Sequence, residues 1–117
     1  MKMKFTSTDK APAALGPYSQ AVSVNGLLFT SGQIVGSDVQ AQAEQVCKNL
    51  AAVLEANGLT FTDAVKTTCF LADMGDFAAF NEVYGKYFTG KPARSCVAVK
   101  TLPKNVLCEV EVIAEMK

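Results

Sequence analysis

Four side chains near the C-terminal end are of types that could do chemistry together: Arg94, Cys96, Glu109 and Glu111. A guanidinium grips a carboxylate through two parallel hydrogen bonds, which a lysine ammonium does less well. A carboxyl group whose pKa is held near neutrality can serve as general acid and base. A thiol beside a cation can become an activated nucleophile. The chain contains no histidine. That removes Ser-His-Asp triads, Cys-His dyads, H-E-x-x-H zinc sites and any imidazole base. With no histidine to serve as its base, Cys96 reads as a packing or ligand-lining residue whose backbone N–H matters more than its sulfur.

Each residue also has a plainer reading. Arg94 could pair structurally with Glu111 or Glu109, and both glutamates could sit on a solvent-facing strand. Tyr18 follows Gly16-Pro17 in an irregular stretch. Its hydroxyl either meets a ligand or the ring closes the core. Ser31-Gly32 ends an apolar run and either turns backbone N–H groups toward an anion or is an ordinary strand terminus. No phosphate loop or dinucleotide fingerprint is present. Residue pattern alone leaves these alternatives open.

Two alternating segments must position the set. Residues 94–100 and 106–114 alternate polar and apolar side chains, the strand period of two. Leu102-Pro103-Lys104-Asn105 lies between them, and Pro103 cannot donate to a ladder. Read as a hairpin, the pair sets Cys96 opposite Glu109 and Arg94 opposite Glu111. Opposed Cβ atoms lie about 5 Å apart. All four side chains would then share one sheet face.

Upstream, residues 2–6 suit an edge strand, and residues 9–19 a loop broken by Pro12, Gly16 and Pro17. Asn25-Gly26 between apolar runs predicts a hairpin. Ser37 is expected to cap a helix, with Gln40 completing a capping box. Val39, Ala43, Val46, Leu50, Val53 and Leu54 give that helix its stripe, and Asn57-Gly58 ends it. A strand over 64–72 follows. A second helix over 77–88 is capped by Asp76, carries Phe77, Phe80, Tyr84 and Tyr87 or Phe88, and holds Gly85 inside. The order is β-β-β-α-β-α-β-β. Helices between strands imply crossovers, and two helices cover only one face of about six strands. A half-apolar uncovered face predicts burial by another copy in a closed homo-oligomer.

The 117 residues suffice for one domain, 1–117. Half are hydrophobic and 19% charged, which is globular composition. Eleven basic residues balance eleven acidic ones, so nucleic acid is not an expected partner. No apolar run approaches membrane-spanning length and no signal pattern opens the chain, so a soluble, cytoplasmic protein is expected. Cys47, Cys69, Cys96 and Cys108 form no C-x-x-C pair and read as reduced, mostly buried thiols, with no metal site.

The stretches APAALGPYSQAV (residues 11–22), TSGQI (30–34), VKTTCFLADMGDFAAFNEVYGKYF (65–88), PARSCVAV (92–99) and LPKNVLCEVEVIA (102–114) span nearly the whole chain. Through them the sequence resembles the reactive-intermediate deaminase family of the RidA/YjgF type. The resemblance implies an α+β, chorismate-mutase-like fold, with two helices on one face of a roughly six-stranded mixed sheet. It implies a homotrimer with sites at subunit interfaces, and hydrolysis of enamines and imines such as 2-aminoacrylate to 2-keto acids and ammonia, without cofactor or metal. It matches Arg94 to the carboxylate-gripping arginine and Glu109 to the glutamate that positions water. Tyr18, Ser31, Gly32, Asn81 and Cys96 match pocket-lining positions, with Tyr18 assisting the water. Glu111 matches a second glutamate of open role. The sequence departs from the family in a short segment at 35–38, and in a short 89–91 where Lys91 replaces an apolar or aromatic residue. Proteins of the same fold are also described as translation inhibitors, endoribonucleases or chaperone-like proteins. A binding or regulatory protein at the same cleft is therefore the alternative.

Overall fold

The structure, a computed structural model, describes residues 2–14, 16–32 and 38–117. Asn25 and Gly26 take φ of 53° and 81°, the paired left-handed positions that a two-residue hairpin turn requires. They join β2 (Ala21–Val24) to β3 (Leu27–Thr30) in antiparallel register, and β1 (Lys4–Thr6) pairs with the outer edge of β2.

Helix α1 (Val39–Glu55) is capped by Asp38, whose carboxylate accepts the Ala41 N–H at 2.8 Å. The cap is thus one residue later than expected, and Ser37 lies outside the described residues, as do 35–36 of the shortened segment. The capping box expected of Ser37 and Gln40 therefore lies outside the described residues. The Gln40 amide reaches across to the next helix and donates to the Ala79 carbonyl and to Glu82. Val46, Leu50, Val53 and Leu54 are fully buried at helical spacing. Gly58, at φ 72°, lets the Leu59 N–H turn back to the Leu54 carbonyl at 2.9 Å.

Strand β4 (Ala64–Leu71) leads through a short 3-10 turn to helix α2 (Phe77–Tyr87). Asp76 occupies the N-cap position, but its side chain makes no capping bond. Asp73 does that work one turn earlier, accepting the Gly75 N–H at 2.8 Å. Phe80, Val83 and Tyr84 face inward, and Tyr84 stacks on Phe88 at 4.4 Å. Then come β5 (Ala93–Ala98) and β6 (Cys108–Glu115).

The six strands form one sheet in the order β1-β2-β3-β6-β4-β5. β4 and β5 run parallel through the α2 crossover, and the other neighbours are antiparallel. Both helices lie on one face, α1 against α2 and β6. Among the described residues no helix is long and apolar enough to cross a membrane.

The expected hairpin between the last two strands does not form, because β4 lies between them. Cys96 is level with Cys69 and Val110, and Arg94 with Thr67 and Val112. Cys69, Val110, Thr67 and Val112 are at most 1% exposed, so Arg94 and Cys96 stand on the helix-covered face. Glu109 is level with Phe70 and Val97, and Glu111 with Thr68 and Ser95, on the uncovered face. The physical reason is connection length. Residues 99–107 are too many for a tight two-residue turn, and they carry the chain across the end of β4.

Candidate functional site

The predicted residues fall into two groups on opposite faces of the sheet. The first is built around Arg94. Its Nη1 donates to Asn81 Oδ1 at 2.7 Å, and its guanidinium carbon lies 4.7 Å from the Tyr84 ring centre and 5.4 Å from that of Phe77. Helix α2 supplies all three contacts at i, i+4 and i+7, one stripe of the helix. The Tyr84 hydroxyl is anchored by Thr67 of β4 at 2.7 Å. Arg94 is therefore oriented by a side-chain amide and two aromatic faces, not by Glu109 or Glu111, and the expected ion pair is absent. It opens onto a cavity of about 420 Å³ lined by Tyr84, Gly85, Phe88, Lys91 and Pro92. Lys91, the residue that departs from the family pattern, takes φ 53° at its rim.

Cys96 is half-buried beside Cys69. Burial pushes its thiol up, against the opposing pull of Arg94, so it is not an activated thiolate. Cys47, Cys69 and Cys108 are buried free thiols, each pushed up by burial to about 12. Among the described residues, no three His, Cys, Asp or Glu side chains are placed to hold a metal ion.

The second group surrounds Glu109. A cavity of about 680 Å³ on the uncovered side is lined by Tyr18, Ser31, Gly32, Lys104, Glu109 and Glu111, among others. The ladder between β3 and β6 stops at Phe29 opposite Ile113, and the next N–H of β6, on Val112, goes to the Thr30 hydroxyl at 2.9 Å. β3 thus leaves β6 here, which opens space for Glu109. The glutamate packs so closely over Gly32 that a Cβ there would overlap its carboxyl group. Desolvation raises the Glu109 pKa, and the like charge of Glu111 raises it further.

Tyr18 is 53% exposed, which overturns its reading as a core aromatic. Its ring lies beside Gly16 at the wall of this cavity. Ser31 takes the second of its two readings, an ordinary strand terminus. Its N–H donates to the Gln20 carbonyl at 2.9 Å and its hydroxyl to the Ser19 carbonyl at 2.5 Å, so that N–H is committed within the fold.

Sequence reasoning missed Gln20. Its buried side chain accepts the Thr8 N–H at 2.7 Å and donates to the Thr8 and Pro12 carbonyls at 3.1 and 2.8 Å. It pins the loop that presents Tyr18. A glutamine at the start of a strand has no sequence signature for that role. Tyr84 belongs to the core and Phe77 packs against it, and their spacing to Asn81 places all three on one helix stripe.

The arrangement offers a fixed carboxylate anchor on one face and a desolvated acid-base carboxyl with a nearby phenol on the other. A family model described as endoribonuclease L-PSP matches residues 8–116. A Salmonella typhimurium protein named 2-iminobutanoate/2-iminopropanoate deaminase is 47% identical, over 95% of this chain and 96% of that protein. A Lactococcus lactis protein that carries a regulator's name, AldR, is 50% identical, over 98% of this chain and 99% of its own. The crystal structure of Escherichia coli TdcF with bound serine superposes with a TM-score of 0.92 at 42% identity, covering 97% of this chain and 99% of that one.

Proposed function

The chain belongs to the reactive-intermediate deaminase family, the RidA/YjgF type, and on that premise we propose that it hydrolyses 2-imino acids, and the enamines that tautomerise to them, to 2-keto acids and ammonia. The observation that carries the reading is Glu109: a half-buried carboxyl with a raised pKa, aimed into a cavity that also holds Tyr18. Such a group can take a proton from water near neutral pH and give it back.

The steps balance without a redox partner. Arg94 holds the substrate carboxylate in a fixed orientation. Water adds to the imine carbon and passes a proton through Glu109 to the nitrogen, with Tyr18 helping to place the water. The hydroxyl proton of the tetrahedral adduct then passes through Glu109 to the nitrogen, the C–N bond breaks, ammonia leaves and the carbonyl forms. No metal or cofactor enters. TdcF with bound serine supports a small carboxylate-bearing ligand for this fold. Asn81, Cys96, Ser31 and Gly32 shape the pocket rather than react.

Arg94 and Glu109 stand on opposite faces of one sheet. A single small substrate reaches both only if they come from different chains. The uncovered face is apolar, with Phe5 60%, Phe29 41% and Val97 46% exposed. Both facts support an assembly in which Arg94 of one copy faces Glu109 of the next, and the family resemblance makes that assembly a homotrimer.

The test is the decay of enzymatically generated 2-iminopropionate. Acceleration by the wild type, lost in Arg94→Ala, is expected. No acceleration, or full activity in Arg94→Ala, overturns the reading. The relative named as a regulator favours a second reading, binding of a 2-keto or amino acid in the same cleft without turnover. Tight binding with no turnover would select it. RNA cleavage by nuclease-free protein would select the endoribonuclease alternative.

A further inference from the structure

Glu111 has no part in the reaction just described, yet it lines the Glu109 cavity. It sits two residues along β6, so its side chain leaves the same sheet face. It also borders a smaller cavity of about 210 Å³ with Lys66, Thr68, Phe29 and Ile113. Its cross-strand partner is Thr68, which carries no charge. Resting on the deaminase reading, we propose that Glu111 is a positioning residue for proton transfer: its negative charge, held on the same strand face and in the same cavity as Glu109, keeps Glu109 basic enough to retain the proton it takes from water until the leaving nitrogen needs it.

The neighbours of Glu109 make this assignment specific. On β4 and β5 its level neighbours are Phe70 and Val97, both uncharged. The 103–105 turn contributes Lys104 at the cavity wall and the N-terminal loop contributes Tyr18. Lys66 of β4 lines the smaller cavity together with Glu111. In the proposed assembly Arg94 of a neighbouring copy faces the same space. Among the described residues lining this cavity, Glu111 alone adds negative charge next to Glu109. Burial raises the Glu109 pKa most, and Glu111 adds to it.

A carboxylate that lost its proton too readily would still orient water but would return little proton to nitrogen. Side chains at i and i+2 of a strand stand about 6.6 Å apart. Across a partly solvated gap of that size, a like charge disfavours ionisation and raises a carboxyl pKa.

The experiment compares wild type, Glu111→Gln and Glu111→Asp. The Glu109 side-chain carboxyl is titrated by carbon NMR, and the pH profile of kcat/KM for 2-iminopropionate is measured on the same samples. In Glu111→Gln, both the titration midpoint and the acid limb should move to lower pH, and in Glu111→Asp by much less. A Glu109 midpoint that is the same in wild type and Glu111→Gln overturns the proposal, whatever happens to activity. Glu109→Gln separates the two claims. If it keeps full activity, the deaminase role of Glu109 falls while a shifted midpoint still confirms the influence of Glu111.

Discussion

Gly32→Ala should cripple the reaction while leaving the fold in place. A Cβ built on Gly32 falls 2.7 Å from Glu109 Cδ and 2.8 Å from its Cγ, with the carboxylate oxygen closer still. Carbon atoms in ordinary contact are about 3.5–4.0 Å apart. The side chain of Glu109 must therefore swing away by roughly 1 Å, which costs little because its outer end is flexible and the cavity is open. Misplacing a catalytic group by about 1 Å costs on the order of 10²-fold in rate. The expected result is a fall in kcat of about that size for 2-iminopropionate, with a smaller change in KM because the hold of Asn81 on Arg94 is untouched. Thermal unfolding of the same sample should stay within a few degrees of wild type. Wild-type kcat in a folded Gly32→Ala would refute the idea that Glu109 works from its observed place over Gly32.

Asn81→Ala removes the amide that holds Arg94 at 2.7 Å; steady-state kinetics should show KM raised about tenfold with a smaller change in kcat. Glu109→Gln should be inactive yet more stable than wild type at neutral pH. The folded-state pKa of Glu109 is raised, so its charged form costs stability above that pKa, and the cost vanishes as pH falls into the ordinary carboxylate range. Unfolding followed between about pH 4 and 8 should therefore show the two proteins converge at the acid end. Gln20→Ala leaves the Thr8 N–H without its side-chain partner, and denaturant unfolding should show a loss of about 1–3 kcal/mol, with KM raised through the loosened Tyr18 loop.

Much of this molecule was legible in its residues. Asn25-Gly26 has one comfortable conformation between two apolar runs, and it forms that turn. The stripe from Val39 to Leu54 and the aromatic stripe of α2 fixed which helix faces are buried. Alternation sorted Arg94 with Cys96 and Glu109 with Glu111 correctly. It could not say which strands are neighbours, since a period of two fixes sides and not partners. Assuming that consecutive strands pair put both sets on one face. The insertion of β4 between β5 and β6 put them on two, and that single difference underlies the proposal that a working site is shared between copies. Capping was misplaced by local competition: Ser37 and Asp38 are both good caps, and Asp38 holds the Ala41 N–H. Gln20 escaped notice because its role rests on contacts with residues 8–12, which only the fold brings near.

The central claim is that one working site needs Arg94 from one copy and Glu109 from the next. It is tested most directly by co-expressing Arg94→Ala and Glu109→Gln chains in equal amounts and assaying the mixed assemblies on 2-iminopropionate. Each variant alone should be inactive. If chains assemble at random in a closed ring, a site is intact when one chain retains Arg94 and the next retains Glu109. About a quarter of the interfaces meet that condition, so about a quarter of wild-type activity should return. A mixture as dead as its parents, despite proven co-assembly, would place Arg94 and Glu109 of a working site in the same chain and contradict the account.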